Sequence, residues 1–428
     1  MGFSVDNKIL MFDGSVKNIG SLQIGDEIIG ANSRPKIVEE IGVKKDVLYE
    51  IIPNKGTCES SSLCDEPSRR LLRSGTPYTV DANHVLLLKV SNYEMVWWHE
   101  QRKRYIVRWI ANFAIKVKMF TVATYGYTKP SSKSLKNNFK NAKKQTYKIA
   151  KRFLRNEVPR IDGYVKYGDV VEIMVKDFIK LPKHVQAVYK NYSKGINFVR
   201  REIDVDPYLL GYWLGDGTSA KPEITTIEEE VIEKFEEYAS ENGMVLTKRG
   251  KYSHNISTGT SYGGNRRNSF MNFLRDYNIR NNKHIPEDYM RNSRENRLKL
   301  LAGLVDSDGC NNGNTYQFIF KSEKLADDVI FLAKTLGFRA FKNKVRKTCT
   351  NSRRGRVTGT YFQFFVHGEG IEKVPSLLER KQTYKRQTKR NASVSGIKIK
   401  PLSKSKYYNL RLHNGCKILL DDFTVVKC

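Results

Sequence analysis

Acidic residues are scarce in this chain: 45 Asp and Glu face 75 Lys and Arg, giving a formal net charge of +30 and a pI near 9.7. Self-repulsion of that size is best relieved by a polyanion, and nucleic acid is the commonest one; a merely soluble basic protein is the plainer alternative. Cysteine is also rare. The six (Cys58, Cys64, Cys310, Cys349, Cys416, Cys428) form no C-x-x-C pair, which excludes a zinc framework or dithiol redox motif of that kind and fits a reducing compartment. No apolar run approaches the ~18 residues of a membrane span. Asp6 and Lys8 interrupt the start of the chain, so no secretory signal is read there. An intracellular protein without a membrane partner is expected, nuclear if the host is eukaryotic. With 39% hydrophobic and 11% aromatic residues the chain can build real cores, and its 428 residues suggest roughly two or three domains.

The two ends read as β-rich. Ile9-Leu10-Met11 runs into the turn signal Asp13-Gly14, Val85 to Leu88 has the short apolar form of a buried strand, and Tyr408 to Leu412 alternates before a turn at Asn414-Gly415. Similar ends around a different middle imply one domain interrupted by an insertion. Residues 101–160 carry 17 Lys or Arg and one acidic residue, Glu157, a net +16. Aromatics are interleaved there (Tyr105, Trp109, Phe113, Tyr125, Tyr127, Phe139, Tyr147, Phe153). Cations for phosphates with aromatics for sugars and bases suggest a DNA-binding surface. The candidates are Arg102, Lys103, Arg104, Arg108, Lys116, Lys118, Lys143, Lys144, Lys148, Lys151, Arg152 and Arg155. For Thr128–Lys144 a solvated, partly disordered linker is the alternative.

An internal repeat dominates the region from 206 onward. Leu209-Leu210-Gly211-Tyr212-Trp213-Leu214-Gly215-Asp216-Gly217 recurs as Leu301-Ala302-Gly303-Leu304-Val305-Asp306-Ser307-Asp308-Gly309. Each copy predicts a buried helix with small residues (Gly211; Ala302 and Gly303) that permit close packing. Each is followed by a strand and an amphipathic helix. Thr226 and Glu229 stand in capping-box spacing before the first, Ser322–Leu336 forms the second, and Gly243 and Gly337 close them. Each repeat ends in Asp-Gly. A carboxylate at a helix C-terminus opposes the helix dipole, costing up to ~1 kcal/mol, and two converging carboxylates cost more unless a cation lies between them. Hard divalent ions with oxygen ligands, Mg²⁺ first and Mn²⁺ second, meet that need. Acids of this kind beside a basic surface point to phosphodiester hydrolysis. Two unrelated helices ending in ordinary Asp-Gly turns is the bland alternative.

These nonapeptides resemble the paired motifs of LAGLIDADG homing endonucleases. The resemblance implies that the eighth position of each, Asp216 and Asp308, is the metal-binding catalytic acid, and that Asp306, at the sixth, is not. It adds the carbonyls of Gly215 and Ser307 as metal-ligand candidates. Lys283-His284-Ile285-Pro286 resembles the lysine-bearing segment of the intein-derived branch, which includes the yeast vacuolar ATPase intein and the yeast mating-type switching endonuclease. Lys381 resembles the second-half counterpart of Lys283, with phosphate contact as its alternative role. Ile9 to Ser15 and the Thr79–His84 segment resemble Hint (intein splicing) domains.

The pattern departs from splicing chemistry. Gly2 stands where a Cys or Ser nucleophile is required, and Lys427 precedes Cys428 where a cyclising Asn is expected. Gly2, His84 and Cys428 are thus expected to be vestiges. The expected architecture is a multidomain α+β protein. A β-rich Hint-like domain comes from residues 1–98 and 396–428, and a basic DNA-recognition insertion spans 99–205. A pseudo-twofold LAGLIDADG domain is built from αββαββ repeats at 206–295 and 296–395. The expected function is a free-standing, monomeric, splicing-inactive homing endonuclease of a mobile genetic element, making Mg²⁺-dependent double-strand breaks at a long duplex site. A DNA-binding protein with a dead nuclease, an active intein and an RNA maturase are the alternatives.

Overall fold

A computed structural model of the chain describes residues 1–54, 75–91, 95–122, 132–259, 268–352, 355–385, 391–413, 415 and 417–428. Cys58, Cys64, Tyr125, Tyr127, Asn414 and Cys416, named above, lie outside the described residues.

The ends of the chain share one body. Its eight-stranded sheet runs in the order Val170–Met174, Val85–Val90, Tyr189–Tyr192, Val394–Leu412, Phe3–Ser4, Tyr78–Asp81, Pro35–Asn54, Glu27–Ile29. The longest pairing is an antiparallel ribbon of Pro35–Asn54 with Val394–Leu412, from Gly396 opposite Asn54 to Leu412 opposite Val38. Apolar side chains from both ends, among them Phe3, Ile9, Val80, Leu88, Ile418 and Val426, then close a single core. Two of these strands, Val170–Met174 and Tyr189–Tyr192, come from the stretch assigned by sequence to the basic insertion. They pair with Val85–Val90 because Ile173 and Tyr189 bury side chains in that core, which the neighbouring lysines mask in any composition window.

The insertion is therefore smaller. Strands Met95–His99, Arg104–Ala111, Ala114–Thr121 and Tyr164–Val165 form its sheet, and helix α1 (Ser132–Asn156) packs on it. The Ser/Asn/Lys-rich stretch lies largely in this helix instead of a linker. The aromatics are mostly spent on packing: Tyr105 and Trp109 are buried, with Tyr147, Phe153, Phe120 and Trp98 packed around them. Without that cluster a 25-residue helix carrying nine Lys or Arg and no acid would have little to hold it.

The repeats match in order. The first has α2 (Pro207–Asp216), Glu223–Thr225, α3 (Glu229–Glu241), Val245–Lys248 and Ser253–Ser257. The second has α4 (Arg294–Ser307), Cys310–Asn311, Tyr316–Phe320, α5 (Glu323–Thr335), Asn343–Ser352 and Gly355–Val366. The second is thus αββαββ, whereas in the first the leading strand is reduced to the single bridge between Gly217 and Ile224. Gly243 and Gly337 take positive φ (64° and 86°) after α3 and α5, as a left-handed C-terminal cap requires. Ser322 caps α5 through the Leu325 N–H. The expected capping box at α3 does not form: Thr226 Oγ1 accepts from Glu228 N at 3.1 Å, closing a turn one step before the helix. Helices α2 and α4 cross with backbones touching. A Cβ on Gly211 would lie 2.2 Å from the Leu300 carbonyl oxygen, and one on Gly303 2.0 Å from that of Tyr208.

Candidate functional site

That crossing brings the two Asp-Gly ends together. Asp216 is the last residue of α2 and Asp308 caps α4, its N–H donating back to the Leu304 and Val305 carbonyls. Gly215 passes directly over the Ser307 side chain, which folds back to donate to the Gly303 carbonyl at 2.9 Å. Asp308 is open to solvent on one side and enclosed by protein on the others; burial and the neighbouring Asp216 carboxylate push its pKa up to about 6, against the pull of Lys283 and Lys381. Burial also raises Asp216, again opposed by Lys381 and Lys283.

Each acid has a lysine from its own repeat behind it. Lys283 Nζ donates to the Gly215 carbonyl at 3.1 Å and the Gly217 carbonyl at 2.7 Å, and lies 5.0 Å from the centre of the Trp213 ring. Burial brings its pKa down to about 8, while Asp308 and Asp216 hold it up. Lys381 is buried and donates to three successive carbonyls of α4, those of Val305 (2.9 Å), Asp306 (2.7 Å) and Ser307 (2.9 Å). Both ammonium groups thus sit on helix C-termini, where a cation offsets the dipole. This lowers the cost of ending each helix on a carboxylate. Gly215 and Ser307, the carbonyl candidates for metal binding, already accept from these lysines.

Asp306 points elsewhere. It is buried and accepts from Tyr208 Oη (3.0 Å), Ser376 Oγ (2.5 Å) and Leu377 N (2.7 Å). It therefore ties the segment bearing Lys381 to α4 across both repeats. Neither this anchor nor the Trp213 ring under Lys283 was recognised from sequence. A lysine at a similar distance downstream of each acid was the available signal for the paired arrangement. Among the described residues no group of three or more His, Cys, Asp and Glu could hold a metal, so a cation here would rest on the two aspartates and backbone oxygens.

The twelve basic candidates all fall on the insertion, but in different settings. Lys144, Lys148, Lys151, Arg152 and Arg155 are exposed on α1, and Lys116 and Lys118 on Ala114–Thr121. Arg102 and Lys103 sit on the preceding hairpin loop, where Lys103 pairs with Glu100. Arg104, at the strand start, also donates to the Met119 sulfur. Three cations lie on the aromatic cluster: Lys143 4.0 Å from the Trp98 ring centre, Lys118 4.1 Å from Phe153 and Lys151 4.8 Å from Tyr147; Arg108 lies 4.6 Å from Trp97, outside that cluster.

At the start of the chain, Gly2 is buried and its N–H donates to Asp81 Oδ1 at 2.6 Å. A Cβ there would lie 2.1 Å from the Tyr407 ring and 2.6 Å from Asn409 Oδ1. His84 is fully buried, edge-on to Phe3 at 4.7 Å, and neither ring nitrogen finds a well-formed hydrogen bond. Burial, helped by the N-terminal ammonium and opposed by the Gly2 backbone, takes its pKa down to about 3. Cys428 is buried in the same core.

Residues 2–426 match the family described as Hom_end-associated Hint. The chain is 31% identical over 234 residues to the replicative DNA helicase DnaB of Mycobacterium intracellulare, a match that takes in 53% of this chain. It spans 35% of that relative's length. Among solved structures it is similar to I-DmoI in complex with DNA and Ca (14% identity, 39% of this chain and 85% of that one, TM-score 0.26). It is also similar to mesophilic variants of the homing endonuclease I-DmoI (16% identity, 40% and 91%, TM-score 0.26).

Proposed function

The chain belongs to the Hom_end-associated Hint family, and from that premise we propose that it is a site-specific DNA endonuclease that cuts both strands of a duplex and no longer splices. The observation that carries this reading is the meeting of Asp216 and Asp308 at touching helix ends, each with a lysine of its own repeat behind it. Two equivalent acids about a pseudo-twofold suit two antiparallel strands.

The donor set fits a hard divalent cation. Two carboxylates close enough for Asp216 to raise Asp308 are stabilised together by positive charge. Mg²⁺ or Mn²⁺ held by Asp216 and Asp308 would supply Lewis acidity toward the scissile phosphate. Lys283 spends two of its three N–H groups on carbonyls of the first repeat, leaving one for a phosphate oxygen or the attacking water. Lys381 spends all three on α4, so its role is to position the Asp308 end of that helix. The cations of α1 hold flanking phosphates, and one chain supplies both acids, so a monomer suffices. Such an enzyme works wherever its DNA is, the nucleus in a eukaryote. Loss of splicing rests on Gly2, which has no nucleophilic side chain and where a Cβ would require the Tyr407 ring to shift.

The test is to incubate the full chain with host genomic DNA and Mg²⁺ or Mn²⁺ and sequence the resulting ends. Recurrent paired ends at one sequence are expected; DNA binding without cutting at any metal concentration leaves the dead-nuclease reading instead. Lys148→Gln/Arg152→Gln should weaken duplex binding and lower its salt slope by about two.

A further inference from the structure

We infer that the Hint body carries a second anion site, a phosphate-binding cleft built apart from the acids of the nuclease centre. The cleft encloses about 740 Å³, within the range of small-ligand sites. Lys36, Lys89, Lys194, Lys417 and Lys427 line it, against one carboxylate, Glu172. These lysines are far apart in sequence and arrive on five separate segments, so the sheet topology, not a local basic run, draws them together.

Glu172 is engaged by Lys427 at 2.5 Å and by Lys417 at 3.8 Å, which leaves the lining strongly cationic. Lys36 is only 6% exposed, and the other four lysines reach the lining from more open positions. Lys89 Nζ lies 6.0 Å from the centre of the Tyr192 ring, which adds a flat apolar wall beside the cations. Convergent ammonium groups suit a polyvalent oxyanion with several acceptor oxygens, which is the chemistry of phosphate. The phosphate can come from a duplex backbone or from a free oligophosphate. The cleft includes Ser193 and Lys194, where the chain leaves for the nuclease and Ile196 N donates to the Thr335 carbonyl at the end of α5.

The experiment uses the full chain, the double variant Lys89→Glu/Lys194→Glu and the milder Lys89→Gln/Lys194→Gln, with thermal unfolding first establishing that each folds. Tripolyphosphate is titrated at constant ionic strength, and a short non-cognate duplex is titrated across a salt series. If the ligand is a free oligophosphate, tripolyphosphate raises the wild-type Tm and its affinity falls about tenfold or more in the charge-reversed variant, with the duplex salt slope unchanged. If the source is the duplex backbone, the slope falls by about two in either variant. Folded variants that match wild type in both titrations overturn the proposal. If the charge-reversed pair does not fold, the glutamine pair decides, since it removes the same two cations.

Discussion

The paired-aspartate centre and the Hint end both depend on a missing Cβ, with opposite consequences. At Gly211 and Gly303 the absence lets two helix backbones touch, and the touch carries Asp216 and Asp308 to a common place. At Gly2 the absence lets Tyr407 and Asn409 close over the position where splicing would begin. The same economy of volume brings two acids together in one place and packs a tyrosine ring over the backbone in the other. Glycine by itself therefore says nothing about whether a site survives; what occupies the vacated space does.

The sharpest way to break this contrast is to neutralise an acid. Asp308→Asn or Asp216→Asn should reduce cleavage by about 10³-fold or more, the loss of several kcal/mol of charge stabilisation, while duplex affinity stays within a few-fold. Equal loss of binding and cutting would show that the acids shape the DNA surface and do not act on it. Lys283→Ala should slow cleavage by ~10²-fold. Lys381→Ala should act mainly on stability, because it removes the donor shared by three carbonyls at the end of α4, that of the buried Asp306 among them. Chemical denaturation and single-turnover rates on the same samples separate the two. A rate loss for Lys381→Ala at unchanged stability would give both lysines the same task.

Gly2→Cys sharpens the contrast from the other side. A nucleophile placed there should yield no ligated product in a fusion with flanking segments, and overpacking against Tyr407 should cost about 1–3 kcal/mol in urea unfolding. Ligated product would mean that the position opens more readily than its packing implies.

How much of this was legible in the sequence follows the range of the interactions. The repeat, its buried helices and the acids at their ends are local patterns, and the paired glycines already implied close packing. The long ribbon of Pro35–Asn54 with Val394–Leu412 was visible only as two similar ends. The burial of Tyr105 and Trp109 was not legible, since an aromatic among lysines reads equally well as a ligand for bases or as core. Nor was the saturation of Lys381 by three carbonyls, because that depends on Asp306 holding the Ser376–Leu377 segment from the far side of the helix. Val170–Met174 and Tyr189–Tyr192 went with the basic insertion by their place in the chain, and only their tertiary pairing with Val85–Val90 joins them to the larger sheet.

The smallest expected effect concerns what remains of the Hint site. His84 in the folded chain holds a proton only below about 3, whereas the unfolded chain takes one up near the ordinary value of 6.5. The folded pKa is the lower of the two, so the stability contributed by a neutral, buried His84 is complete above pH 6.5 and is lost as pH falls through that window toward 3. One proton corresponds to a slope of about 1.4 kcal/mol per pH unit. His84→Leu, which keeps an apolar side chain against Phe3, should remove that slope from the pH dependence of urea unfolding between 6 and 4, and leave stability at neutral pH within about 1 kcal/mol. An unchanged slope would mean that the imidazole is already protonated in the fold, and that the Hint site keeps a charge its packing does not reveal.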